Sequence, residues 1–221
     1  MNWLLDLTPD EWNAVRLSIK VATVAMVASL PPGILIALVL ARGQFWGKTL
    51  LNGLVHLPLI LPPVVIGYLL LLSFGRRGPV GAFLAEHFGI VFSFRWTGAA
   101  LACAVMGFPL MVRAIRLSIE AVDRRIEAAA GTLGANPLWV FGTITLPLIL
   151  PFAKAMGEFG ATITFVSNIP NQTQTLPSAI YTFTQVPGGD AGALRLTLIS
   201  IVISMAALVA SEVLARRVGR R

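Results

Sequence analysis

Few residues in this chain can do chemistry, and their spacing supports no catalytic centre. His56 and His87 stand thirty-one residues apart without metal-ligand spacing. No Ser/His/Asp or Cys/His arrangement accompanies either one. The one cysteine, Cys103, sits inside an apolar run, which leaves neither a disulfide framework nor a zinc spacing. Gly43-Gln-Phe-Trp-Gly-Lys-Thr49 has the outline of a phosphate-binding loop, but such a loop needs four residues between its glycines so that successive amides wrap the phosphate. Three residues separate them here and no strand precedes them, so the segment reads as a short connector. An ATP site of the chain's own is therefore not expected, nor is any cofactor or metal.

The charges left in apolar surroundings are more informative. Glu158 follows Lys154 by four residues inside an apolar stretch. Ionisable groups in such stretches are costly, and they line a pathway or pair with each other. Two readings stand: Glu158, Phe159 and Gly160 form part of a gate, or Lys154 and Glu158 make a local pair in a helix. Pro62, Pro63 and Gly67 permit a kink and a close helix crossing beside a pathway. A kink with no further role is the alternative. Arg76 and Arg77, between Gly75 and Gly78, either attract an anion, meet acidic residues of a docked protein, or are solvated loop charges.

The elements that hold these residues are membrane spans. The 221-residue chain is 56% hydrophobic and 12% charged, with a mean hydropathy of +0.80. Soluble domains are nearer ~45–50% apolar. Stretches of about 20 apolar residues, enough to cross the ~30 Å hydrocarbon layer, recur along the chain. Five spans are expected: 17–41, interrupted by Pro31-Pro32-Gly33; 50–74, with Pro58, Pro62, Pro63 and Gly67; 97–115, with Pro109; 144–166; and 194–215. Prolines at this density fit kinked helices around a pathway, where neighbours or water satisfy the freed carbonyls. The stretches 78–94 and 176–186 are too short to span and read as interfacial or re-entrant.

A net charge of +7 raises the possibility of nucleic-acid binding. The basic residues flank apolar spans singly or in pairs and form no solvated basic face, so that class is excluded. Their meaning is orientation. With five spans, ten basic residues fall on the side of Arg42, Lys48, Arg113, Arg116, Arg124, Arg125 and the C-terminus. Six fall on the other: Arg16, Lys20, Arg76, Arg77, Arg95 and Arg195. The richer side is cytoplasmic. The acidic opening stretch, Met1 to Trp12, lacks the basic region of a cleavable signal peptide.

On the cytoplasmic side lies a polar segment, Glu120 to Pro147. Asp123 is an N-cap candidate, and the charge of Glu127 favours a helix N-terminus. Ala128, Ala129 and Ala130 give a slender helical face, and Gly134 is placed to end the helix. Asn136-Pro137 reads as a second N-cap with proline at the first helical position. Leu138, Trp139 and Phe141 then offer an apolar surface that the loop cannot bury. Two short helices of this kind form a plug for a groove in another protein.

These residues resemble the signature of the permease subunits of binding-protein-dependent ABC importers: Glu-Ala-Ala, Gly, nine residues, then Ile-x-Leu-Pro. Here it runs through Glu127, Ala129, Ala130, Gly134, Ile144, Leu146 and Pro147, with the glutamate one residue earlier than the strictest form. Three further stretches resemble the molybdate branch: His56 to Tyr68, Phe108 to Arg116, and Gly157 to Pro170. The resemblance covers nearly the whole chain. It implies an all-α polytopic bundle of the type I importer permease kind in a bacterial inner membrane, with about five spans. Residues 1–221 form one transmembrane domain whose cytoplasmic coupling loop covers about 117–143. Glu127, Ala129, Ala130, Gly134, Leu138, Ile144, Leu146 and Pro147 would dock an ABC ATPase subunit. Further implied partners are a periplasmic or lipid-anchored molybdate-binding protein, a second permease copy forming a homodimer, and membrane lipid. Sulfate, tungstate or another oxyanion is the alternative cargo, and an ion-coupled secondary transporter is the alternative class.

One departure from the family pattern stands out. Members carry a full helix between the closing Leu-Pro and the Gly-Glu-Phe-Gly stretch, whereas here Leu146-Pro-Leu-Ile-Leu-Pro151 runs almost at once into Phe152 to Gly160. About nine residues, two to three turns, are missing by that comparison. The fourth span is expected to be short, broken or strained, with transport impaired.

Overall fold

The computed structural model describes residues 7–120, 158 and 160–218. Among them every regular element is a helix. These are α1 (Pro9–Arg42), α2 (Lys48–Ile60), α3 (Pro63–Phe74), α4 (Pro79–Phe88), α5 (Trp96–Glu120), α6 (Gly160–Val166), α7 (Leu176–Thr184) and α8 (Asp190–Val218).

Helix α1 begins with a capping box. The Thr8 hydroxyl accepts from the Glu11 backbone N–H at 3.3 Å, and a Glu11 carboxylate oxygen accepts from the Thr8 N–H at 2.7 Å. Two otherwise orphaned donors are thereby satisfied. The interruption expected at Pro31-Pro32-Gly33 does not occur, because α1 continues through it to Arg42. Packing explains the continuity. Gly33 lies against α5, where a Cβ on it would stand 3.1 Å from Met111 Sδ and 3.7 Å from Phe108. A neighbouring helix thus holds the segment whose hydrogen bonds the prolines remove.

α1 and α5 run in the same direction. Lys20 Nζ sits 3.7 Å above the Trp96 ring near the start of α5, and Gly33 meets Met111 near its end. Small side chains of both helices, Ala14, Ala22 and Ala25 on α1 and Ala99 and Ala102 on α5, are buried in one shared cluster, and small residues let backbones approach. A second cluster of Ala37, Leu40, Val55, Met111, Val112 and Ile115 joins α1, α2 and α5 further along. α5 is the most enclosed: 61% of its apolar window is buried, against 28% in α1 and 11% in α8.

The expected second span is two helices. α2 and α3 meet at a 113° bend. Pro62 and Pro63 account for it: neither has an N–H to continue α2, and Pro63 is suited to the first position of α3. At 13 and 12 residues, each half is about 20 Å long or less, short of the hydrocarbon thickness. Helices α1, α5 and α8 are long and apolar enough to cross, and the bent pair makes up to four spans among the described residues. The expected fourth span, 144–166, is described only at Glu158 and from Gly160 onward. The two short stretches become α4 and α7, of 10 and 9 residues.

Candidate translocation site

The proline and glycine positions come together where α3 crosses α6. A Cβ on Gly67 would lie 2.6 Å from the Ala161 carbonyl oxygen and 2.7 Å from Thr164 Cβ. One on Gly160 would lie 2.7 Å from Pro63 Cβ. Both distances are shorter than side chains tolerate, so two glycines on opposite helices set the separation of the crossing. α6 also packs against α5: Phe165 and Val166 are buried, and Thr162 Oγ1 lies 3.8 Å from Cys103 Sγ.

Glu158 borders this crossing and is 3% exposed. Its Oε1 accepts from the Ala161 backbone N–H at 3.0 Å, satisfying one of the orphan donors at the start of α6. Pro62, Pro63, Gly67, Glu158 and Gly160 therefore share one locality, although Glu158 lies nearly a hundred residues beyond the prolines. Phe159 and Lys154 lie outside the described residues, as do Glu127, Ala129, Ala130, Gly134, Leu138, Ile144, Leu146 and Pro147. Among the described residues no three His, Cys, Asp or Glu side chains gather as a metal centre.

Basic residues separate to the two ends of the bundle. At one end Arg195 Nη2 meets Glu11 Oε1 at 2.7 Å, tying α8 to the capped start of α1. Lys20 covers Trp96 at the same end, and the buried Ser18 hydroxyl accepts from the Leu176 N–H at 2.6 Å. At the other end Arg116 binds Glu120 at 2.7 Å and Asn52 at 3.2 Å. Sequence reasoning missed the Glu11–Arg195 pair. Its partners are 184 residues apart, and an acidic residue near a helix start reads as a cap alone. Also missed was a cleft of about 750 Å³ that unites Arg76 and Arg77 with Arg95.

A family model for the binding-protein-dependent transport system inner membrane component matches residues 33–220. The chain belongs to that family. It is 58% identical over 227 aligned positions to the molybdenum transport system permease protein ModB of Escherichia coli (strain K12), covering 97% of this chain and 99% of the relative. The ModB protein of Haemophilus influenzae is 52% identical, with 96% of each chain covered. The solved structure of an amino acid ABC transporter with histidines matches at a TM-score of 0.65 and 18% identity, over 95% of this chain and 94% of that one. The all-helical fold is thus that of type I ABC importer permeases. The family and the long apolar helices make this chain a multi-pass inner membrane transport component.

Proposed function

We propose that this chain is the permease subunit of an ATP-driven molybdate importer. The supporting observation is its 58% identity to an Escherichia coli molybdenum permease along nearly the whole length of both proteins. The polar loop, with Glu127, Ala129, Ala130, Gly134 and Leu138, then Ile144, Leu146 and Pro147, is the coupling element that seats in an ABC ATPase subunit. ATP hydrolysis belongs to that partner. Two permease copies enclose the pathway, and a periplasmic or lipid-anchored binding protein delivers the anion to the end holding Arg76, Arg77, Arg95 and Arg195. The apolar side chains exposed along α1, α2, α3 and α8, such as Leu35, Leu54, Val64 and Val202, meet lipid or the second copy.

In this reading the α3–α6 crossing transmits motion. Closure of the ATPase dimer moves the coupling loops, and the chain that follows each loop leads directly to Glu158 and α6. Because Gly67 and Gly160 hold α6 against α3 without side-chain clearance, a shift of α6 must carry α3 and the Pro62–Pro63 bend with it. The alignment to the Escherichia coli relative is 227 positions long, longer than this 221-residue chain, so that relative carries residues absent here. A shortened segment after Pro151 would account for such a gap.

The deciding experiment is ATPase stimulation of the reconstituted complex by binding protein loaded with molybdate, tungstate or sulfate. Stimulation by the molybdate-loaded form supports the reading; stimulation by the sulfate-loaded form alone reassigns the cargo. Co-purification of an ATPase subunit, lost on Glu127→Arg, tests the coupling role. A chain that binds no ATPase is not such a permease.

A further inference from the structure

Arg76, Arg77 and Arg95 come from two separate loops and line one open cleft of about 750 Å³. The first loop is a turn closed by the Gly78 N–H donating to the Gly75 carbonyl at 2.9 Å, which puts Arg76 and Arg77 at its corner. The second turns at Phe94, which holds φ +55°, in the left-handed region. A bulky residue takes that conformation only where its surroundings impose it, and such residues cluster at functional sites. Between them the two turns bring three arginines to one depression that is also lined by Leu71, Leu72 and Val91.

None of the three arginines has a carboxylate within ion-pair distance among the described residues. Elsewhere Arg195 and Arg116 are matched by Glu11 and Glu120, and Lys20 by the Trp96 ring. Ser93 adds a second, independent observation. It is 7% exposed, it lines the same cleft, and its hydroxyl finds no hydrogen-bond partner among the described residues. A buried hydroxyl without a partner is unfavourable. Gln172, a residue whose side chain carries an N–H donor, also lines the cleft.

We infer that this cleft is an anion-capture site at the outer mouth of the pathway, for a tetrahedral oxyanion dianion. Like charges gathered in a concave, partly apolar cleft focus the field and raise the local concentration of an opposite charge. Guanidinium forks match the paired oxygens of an oxyanion. Cleft size and the exposure of the arginines make this a hydrated, salt-sensitive holding site and not a tight, selective one. An anion released by a binding protein is thereby kept near the entrance instead of diffusing away. The inference rests on the oxyanion-permease reading and adds a site to it. An acidic face of the binding protein is the competing occupant. A small dianion is favoured because the charges lie around a depression, with a donor-bearing residue in its wall, and not on a convex face.

The test uses the intact permease–ATPase complex in nanodiscs, without binding protein. Retention of molybdate, sulfate and phosphate is measured by equilibrium dialysis at low ionic strength, for wild type and for Arg76→Gln/Arg77→Gln/Arg95→Gln. Wild type is expected to retain oxyanion, and the triple variant to retain it about tenfold or more less well, the scale of electrostatic enrichment in charged clefts. Basal ATPase activity and affinity for anion-free binding protein should not change. Arg95→Gln alone, on the second loop, lowers retention in the same direction and serves if the triple variant does not assemble. Equal retention by wild type and variants overturns the inference. So does a loss confined to binding-protein affinity, which would make the cleft a protein-docking surface. Retention of sulfate or phosphate but not molybdate upholds the cleft while removing molybdate as its ligand.

Discussion

Gly67 on α3 and Ala161 on α6 touch backbone to backbone, with room for no side chain between them. A Cβ at position 67 would sit 2.6 Å from the Ala161 carbonyl oxygen. The two residues are almost a hundred positions apart, yet their contact joins the bent span to the helix that follows Glu158.

Adding a methyl group at Gly67 must therefore part the helices. Gly67→Ala is expected to destabilise the assembled protein by about 1–3 kcal/mol, the usual range for overpacking, and to reduce uptake. Thermal unfolding of the purified complex, together with an uptake assay, checks this. Gly53→Ala is the control, because a Cβ there meets nothing within 4 Å. Equal effects of the two substitutions would falsify the close-crossing role.

Glu158 has one duty that the structure shows and a second, in the gate, that the proposed function assigns to it. As an acceptor for the Ala161 N–H it stabilises the start of α6. Glu158→Ala removes that acceptor and should destabilise by about 1 kcal/mol, as helix N-terminal acceptors do. Glu158→Gln keeps an acceptor oxygen but loses the charge. If the charge serves the gate, the Gln variant folds normally while ATPase coupling and uptake fall. Unchanged transport in that variant would leave only the capping duty.

The Glu11–Arg195 pair should behave as a buried ion pair whose partners depend on each other. Arg195→Met leaves Glu11, whose side chain is fully enclosed, without its cation. The expected loss is about 3–5 kcal/mol, the cost of stranding a buried charge. Glu11→Gln combined with Arg195→Met should lose less than the two single changes summed. A double-mutant cycle on thermal stability measures the difference, and strict additivity would argue that the pair is not coupled.

Adding length after Pro151 tests the proposed shortening of that segment. Inserting about nine apolar residues, two to three helical turns, is expected to raise uptake and its coupling to ATP hydrolysis. Uptake that is already equal to that of a full-length relative before insertion would show that the short form transmits adequately.

Much of the architecture was legible because it depends on local chemistry. Long apolar runs named α1, α5 and α8 as spans, since their apolar side chains favour lipid wherever the helices pack. Pro62-Pro63 marked a kink within one expected span, because two adjacent prolines remove two backbone donors regardless of context; the full 113° break was not expected. Pro31-Pro32 follow the same local rule, yet α1 stays continuous there. What differs is the neighbour: α5 lies against Gly33, while the turn at Pro62 has α6 pressed against the start of α3 through Gly160 and Pro63. No local pattern separates those two outcomes.

Sequence alone determined the membrane class, the helical content and, through the resemblance carried by Glu127 to Pro147, the family, all of which rest on neighbours along the chain. Only the tertiary structure decided that Gly67 meets Ala161, that Glu11 pairs with Arg195, and that Arg95 shares a cleft with Arg76 and Arg77. Those relationships are contacts across long separations. They exist because small residues let helices close to within backbone distance, and because two loops end at the same face of the bundle.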